Sequence, residues 1–312
     1  MTKILSTRDG FGEGLVEAGL QNSEIVALSA DVAESTRADG FKDKFPSRYF
    51  EVGVAEQNMV GMAVGLALSG KTAFAISYAS FIPCRAYDQI RVSVAYNNAN
   101  VKLVGSHAGL ITGFDGASHQ TLEDIAMMRA LPNMTVVVPA DATEAKQATL
   151  ALSKHKGPAY LRLGRADAPK IDDNDSPFVI GKAKILRQGI NATIVACGIM
   201  VNEALEAADE LAEQSISAAV INCHTIKPLD SDTILRCVSK TKVVVTAEEA
   251  QISGGLGEAV ASLVAENNPK PLKRIGVNNC FGQSGQPQEL LEHYGLTRQH
   301  IVGMVVEMLK RC

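Results

Sequence analysis

EVGVAEQNMVGMAVGLAL, residues 51–68, passes from a short β-rich run into an apolar segment that carries no charge from Asn58 to Leu68. A brief strand closing into a buried helix is half of a βαβ unit, and the same grammar extends in both directions. Upstream, the pattern predicts a helix over 9–18 and a strand over 25–29; the run at 49–54 is the next strand and 59–68 the next helix. Downstream, strands are expected at 72–76, 101–105, 135–138 and 159–163, with helices at 82–95 and 142–151. Within 82–95, Ile82, Ala86, Ile90 and Val94 fall four apart and share one helical face. This half is expected to be a parallel sheet with helices on both faces.

ADAPKIDDNDSP, residues 166–177, is acidic, proline-bearing and poor in large apolar residues, which marks a boundary. The expected division is a first domain over 1–168, a linker over 169–180 and a second domain over 181–312. A strand at 193–196, a helix at 202–213 and a strand at 218–222 begin the second α/β unit, and 243–247 and 256–265 continue it. The 312 residues suffice for two α/β domains, each with its own core, and no internal repeat is visible. The fold class is α/β, with two doubly wound domains.

The net charge of -4 gives no global reason to bind nucleic acid or an anionic membrane, so any anionic ligand must be held by local side chains. The N-terminal MTKILSTRDGFGEG lacks an apolar core of signal-peptide length, and no run approaches a membrane span; the expected compartment is the cytoplasm. The six cysteines, Cys84, Cys197, Cys223, Cys237, Cys280 and Cys312, form no CxxC pair and suit reduced thiols.

Several residues stand out chemically, each with a plainer reading beside it. Glu56 can be an acid at the positive end of a helix dipole, or a carboxyl held beside an apolar segment for proton chemistry. Phe81 in SYASFIPCRAYDQIR can be core or a shelf for a planar ring. GSHAGLITGFDGASHQTLEDIAMMRALPN, residues 105–133, puts His107, Asp115 and His119 on a glycine-punctuated loop, where function gathers more than core does. No third His or Cys follows at a usual ligand spacing, so no zinc site is expected. Arg8 and Arg165 can be solvated or can grip a phosphate with a bidentate fork. SGGLGEA at 253–259 lacks a full GxGxxG and a later acidic ribose partner, which removes a dinucleotide reading.

Together these segments resemble the transketolase family over essentially the whole chain. Gly53-Val54-Ala55-Glu56 is similar to the Gly-(Ile/Val)-x-Glu stretch of thiamine diphosphate enzymes, whose glutamate meets N1′ of the aminopyrimidine and favours the tautomer that deprotonates the thiazolium. By the same resemblance Phe81 stacks on the pyrimidine, and Cys84 and Tyr87 stand where relatives place further aromatics. Asp31 falls in the family's Ala-Asp-Leu/Val and is implied in the cofactor pocket. The resemblance gives His107 the sugar phosphate, Asp115 the acceptor's C2 hydroxyl, and His119 the donor's C1 hydroxyl or the two-carbon unit carried on the cofactor. It gives Arg8, Ser35 and Arg165 further phosphate contacts. Phe114 replaces the family's usual Glu and Ala117 its usual Pro, which implies a different sugar profile.

Transketolases hold Mg²⁺ and the diphosphate through a Gly-Asp-Gly followed by Asn, and no Gly-Asp-Gly occurs here. The resemblance therefore implies that both ligand sets lie on a second, N-terminal diphosphate-binding subunit, in an α2β2 heterotetramer acting on sugars or sugar phosphates. A 1-deoxyxylulose 5-phosphate synthase, a 2-oxo acid dehydrogenase β subunit and a noncatalytic regulatory subunit are the other readings. The synthase normally carries its diphosphate domain on the same chain, and the dehydrogenase subunit lacks the His-Gln-x-Leu-Glu-Asp run in this form.

Overall fold

The computed structural model describes residues 4–171 and 177–311. Cys312 and positions 172–176 of the acidic stretch lie outside the described residues. Six strands of the first sheet run parallel in the order Thr135–Val137, Ala159–Arg162, Val101–Ser106, Thr72–Tyr78, Ile25–Ser29 and Tyr49–Glu51. Their side chains are almost all buried on both faces, apart from the edge strand Tyr49–Glu51, as a helix-covered parallel sheet requires. The second sheet orders Leu272–Val277, Val243–Gln251, Ala192–Ala196, Ala218–Asn222 and Lys184–Arg187, parallel except for the last.

The helix Thr7–Gln21 contains four glycines that weaken it intrinsically, by roughly 0.5–1 kcal/mol each relative to alanine. Packing explains at least one of them. A Cβ on Gly10 would lie 1.9 Å from the carbonyl oxygen of Ala142, so only glycine lets this helix seat against Ala142–Lys154.

Two features depart from the local pattern. The expected helix over 82–95 is broken into Ile82–Arg85, Tyr87–Gln89 and a π-helical segment Ile90–Tyr96. Ala86, at φ -104° and ψ 21°, leaves helical geometry between the first two pieces. Ile82, Ala86, Ile90 and Val94 are nevertheless all fully buried, so the shared face is kept while the backbone that carries it is not regular. The other departure joins the two halves: Thr225–Lys227, from beyond the linker, adds an antiparallel edge strand to the first sheet against Thr135–Val137.

Candidate active site

The sequence-selected residues gather at the carboxyl ends of the parallel strands, where open α/β sheets bind ligands. Asp31 follows Ile25–Ser29, Glu56 follows Tyr49–Glu51, His107 follows Val101–Ser106 and Arg165 follows Ala159–Arg162. The last residue of Thr72–Tyr78 links them. Tyr78 donates from its hydroxyl to Ser35 Oγ at 3.0 Å, and its ring centroid is 4.1 Å from that of His107, 5.9 Å from Phe81 and 6.2 Å from His119. One tyrosine therefore meets Ser35 and His107 on one side and Phe81 on the other.

Glu56 opens the helix Glu56–Leu68 and is 2% exposed. Its Oε1 accepts from Ser77 Oγ at 3.4 Å and its Oε2 from Arg85 Nη1 at 2.8 Å. The Arg85 guanidinium also lies 4.5 Å over the Phe81 ring, and the edge of that ring meets His119 at 5.2 Å between centroids. Tyr87 is half-buried and donates to the carbonyl of Met127 at 3.2 Å; Cys84 is exposed with a free thiol. Asp31 stands apart. It sits at φ +62° and is exposed, with its N–H donating to Glu51 Oε1 at 2.7 Å.

Arg8 Nη1 donates to the carbonyl of Ser35 at 2.8 Å, and Arg165 Nη1 meets Asp115 Oδ1 at 3.1 Å. His107 is buried and feels the charges of Arg8, Arg165 and Asp115, with Nδ1 3.0 Å from Ser106 Oγ. Burial first, then the Arg8 and Arg165 charges, push its pKa down to about 3, so the ring is neutral at physiological pH. A neutral imidazole near the Arg8 and Arg165 guanidiniums and the Asp115 carboxylate is an uncharged hydrogen-bonding group among charged ones.

The aminopyrimidine end of thiamine diphosphate fits these residues. The planar Arg85 guanidinium already touches Glu56 with an N–H and Phe81 with its face. An aminopyrimidine is likewise flat and edged with nitrogen. Ser80 Oγ, next to Phe81 in the chain, is buried without a hydrogen-bond partner among the described residues. Among the described residues no group of three or more His, Cys, Asp or Glu side chains could hold a metal ion.

Tyr78, Arg85 and Glu249 belong to this neighbourhood and escaped sequence reasoning. Tyr78 carried a signal: an aromatic three residues before Phe81, at the end of a strand. Glu249 carried none, since it comes from the second sheet and reaches the first across the chain's full topology.

Residues 3–170 match the family model for the transketolase pyrimidine-binding domain, and 181–301 match the transketolase C-terminal domain. A 6-deoxy-6-sulfo-D-fructose transketolase subunit from a Clostridium species is 45% identical over 304 residues, 97% of this chain and 94% of that one. One of the subunits of an apulose-4-phosphate transketolase from Phocaeicola vulgatus is 36% identical and is matched over 99% of both chains. A solved split-gene transketolase, described as an inactive β4 tetramer, superposes with a TM-score of 0.92 at 44% identity, over 98% of this chain and 99% of that one. The chain belongs to the transketolase family of thiamine diphosphate-dependent enzymes and carries its pyrimidine-binding and C-terminal domains.

Proposed function

We propose that this chain is the pyrimidine-side and sugar-side subunit of a two-chain transketolase that moves a two-carbon ketol unit from a ketose, or its phosphate, to an aldose, or its phosphate. The observation that carries the reading is the junction of two sites on one tyrosine: Tyr78 contacts Ser35 and His107 on one side and Phe81 on the other. Thiamine diphosphate, when bound, supplies the carbanion equivalent that the sugar carbonyl chemistry requires. Glu56 is positioned to share a proton with the pyrimidine edge, and Phe81 to support the ring face. Tyr87 and Cys84 border the shelf, and Asp31 lies at its margin. His119 and Asp115 are assigned the substrate hydroxyls; Arg8, Ser35, His107 and Arg165 the anionic end of the sugar.

Mg²⁺ and the diphosphate are assigned to an N-terminal partner subunit in an α2β2 assembly. The helix Glu56–Leu68 supports this. Gln57, Gly61, Met62 and Gly65 are exposed on it, and no described residue lies within 4 Å of a Cβ placed on Gly61 or Gly65. Val54 and Leu68, 70% and 72% exposed, flank that uncharged face. By analogy with the solved relative, the chain by itself is expected to form an inactive homo-oligomer. Five free cysteines among the described residues, and no helix there long and apolar enough to cross a membrane, are compatible with action in the cytoplasm. The chain is read as a first domain over 1–168 and a second over 181–312, joined by 169–180.

The test is reconstitution with a partner bearing Gly-Asp-Gly, thiamine diphosphate and Mg²⁺, assayed with a ketose phosphate and with pyruvate as alternative donors. Ketol transfer that vanishes in Glu56→Ala while the complex still assembles is the expected result. Full activity from this chain alone, near-normal turnover of Glu56→Ala, or use of pyruvate instead of the ketose would overturn it.

A further inference from the structure

Successive strand residues face opposite ways, and at the end of Val243–Gln251 this alternation separates two neighbouring acids. Glu248 accepts from the N–H groups of Leu256 and Gly257 at 2.8 and 2.7 Å and so caps the helix Leu256–Asn267. Glu249 turns the other way, toward the first sheet. It is 3% exposed, and its Oε1 accepts from the N–H of Ile111 at 2.8 Å, in the middle of the loop that carries His107 and Asp115.

Its carboxylate is held from behind. Arg162 Nη1 lies 3.6 Å from Glu249 Oε2, Nη2 donates to the Glu249 carbonyl at 2.9 Å, and Nε donates to Asp124 Oδ2 at 2.9 Å. The loop rests directly on it. Gly109 sits at φ +80°, and a Cβ there would come within 2.4 Å of the Glu249 carboxylate. Bonds inside the loop then tie its two ends to this point. Thr112 Oγ1 donates to the His107 carbonyl at 2.6 Å, while Arg165 Nη1 donates to the Thr112 carbonyl at 3.0 Å and meets Asp115.

We propose that Glu249 is a positioning residue for ketol transfer: a carboxylate delivered by the second domain that sets the height of the 107–115 loop, and with it the sugar contacts of His107 and Asp115. Glu249 itself touches no substrate. The inference rests on the reading of that loop as the sugar site. It assigns the second domain a direct part in substrate recognition.

The test uses the reconstituted two-chain holoenzyme, with hydroxypyruvate as donor and ribose 5-phosphate as acceptor. Glu249→Ala and Gly109→Ala disturb the same contact from its two sides, so a folding failure of one leaves the other as a probe. Each is expected to raise KM for ribose 5-phosphate about tenfold, as a displaced binding loop should, while the Kd for thiamine diphosphate stays unchanged. Glu249→Gln keeps an oxygen for the Ile111 N–H and should remain within about threefold of the parent. Hydrogen exchange over 107–115 should quicken in Glu249→Ala. Unchanged KM with unchanged exchange would overturn the proposal, as would a fall in kcat and in cofactor affinity at constant KM, the signature of general damage. Failure of the underlying transketolase reading shows separately, as a parent complex with no hydroxypyruvate turnover.

Discussion

Arg85 Nη1 donates to Glu56 Oε2 at 2.8 Å, which places a half-exposed guanidinium on the carboxyl expected to meet the cofactor. Among the described residues Glu56 has one other side-chain hydrogen bond, from Ser77 Oγ at 3.4 Å, so the guanidinium supplies most of what a carboxylate loses on burial.

Arg85→Ala should therefore destabilise the free chain. Breaking a fully buried pair costs about 3–5 kcal/mol. The Arg85 side chain is 47% exposed, and solvent screening reduces the expected loss to about 1–2 kcal/mol. A double-mutant cycle with Glu56→Gln, followed by urea unfolding, isolates the pair. Arg85→Ala should cost much less in the Glu56→Gln background; an equal cost in both would mean the guanidinium stabilises through Phe81 instead.

How far these residues were legible follows from where their contacts come from. Glu56, His107 and Arg165 follow strands whose positions the apolar runs mark, so the strand pattern together with the family resemblance singled out residues that the fold brings to one end of the sheet. Arg85 was hidden because the expected regular helix over 82–95 is broken at Ala86, which changes what each side chain can reach. Glu249 and the edge strand Thr225–Lys227 were hidden for a different reason: their partners lie in the first sheet, distant in sequence, and no local periodicity encodes a contact across domains.

His107 makes stability depend on pH with a definite sign. Its folded pKa of about 3 lies below the ordinary 6.5, so between those values the unfolded chain takes up a proton that the folded chain refuses. Stability contributed by this residue is complete above pH 6.5 and falls as the pH drops toward 3, by up to about 1.4 kcal/mol per pH unit. Glu248 and Glu249 act oppositely: burial raises both to about 7, so their ionisation lowers stability as pH rises from 4.5 to 7. The difference between the parent chain and His107→Gln cancels the glutamates. That difference should shrink steadily on acidification from pH 6 to 4 in urea melts. A pH-independent difference would show that the imidazole is not held neutral.

The uncharged helix face offers a separate test of assembly. Gly61→Leu and Gly65→Leu start side chains where no described residue lies within 4 Å of the Cβ, and leucine favours a helix over glycine by roughly 0.5–1 kcal/mol. The free chain should melt at the same or a higher temperature. Size-exclusion with the partner subunit should nonetheless show the complex lost, because the added side chains block close approach of another helix. Normal assembly of both variants would place the subunit contact elsewhere.

Substrate choice should turn on the rim of the sugar pocket. Phe114 is 62% exposed, its carbonyl accepts from Ser284 Oγ at 2.8 Å, and it adjoins Asp115, which pairs with Arg165. Because the backbone is anchored by Ser284, replacing the side chain should alter the pocket's charge without moving the loop. Phe114→Glu adds a negative charge next to Asp115 and its partner Arg165, one of the two arginines assigned to the anionic end of the sugar. At surface-like dielectric such a charge several ångströms from a phosphate costs on the order of 1 kcal/mol, about a fivefold rise in KM. The rise should appear for a phosphorylated or sulfonated aldose and be absent for its uncharged counterpart, with kcat preserved for both. An equal change for charged and uncharged acceptors would show that Phe114 acts by shape, and the anion contacts of Arg8 and Arg165 would then lie farther from the loop tip than their positions suggest.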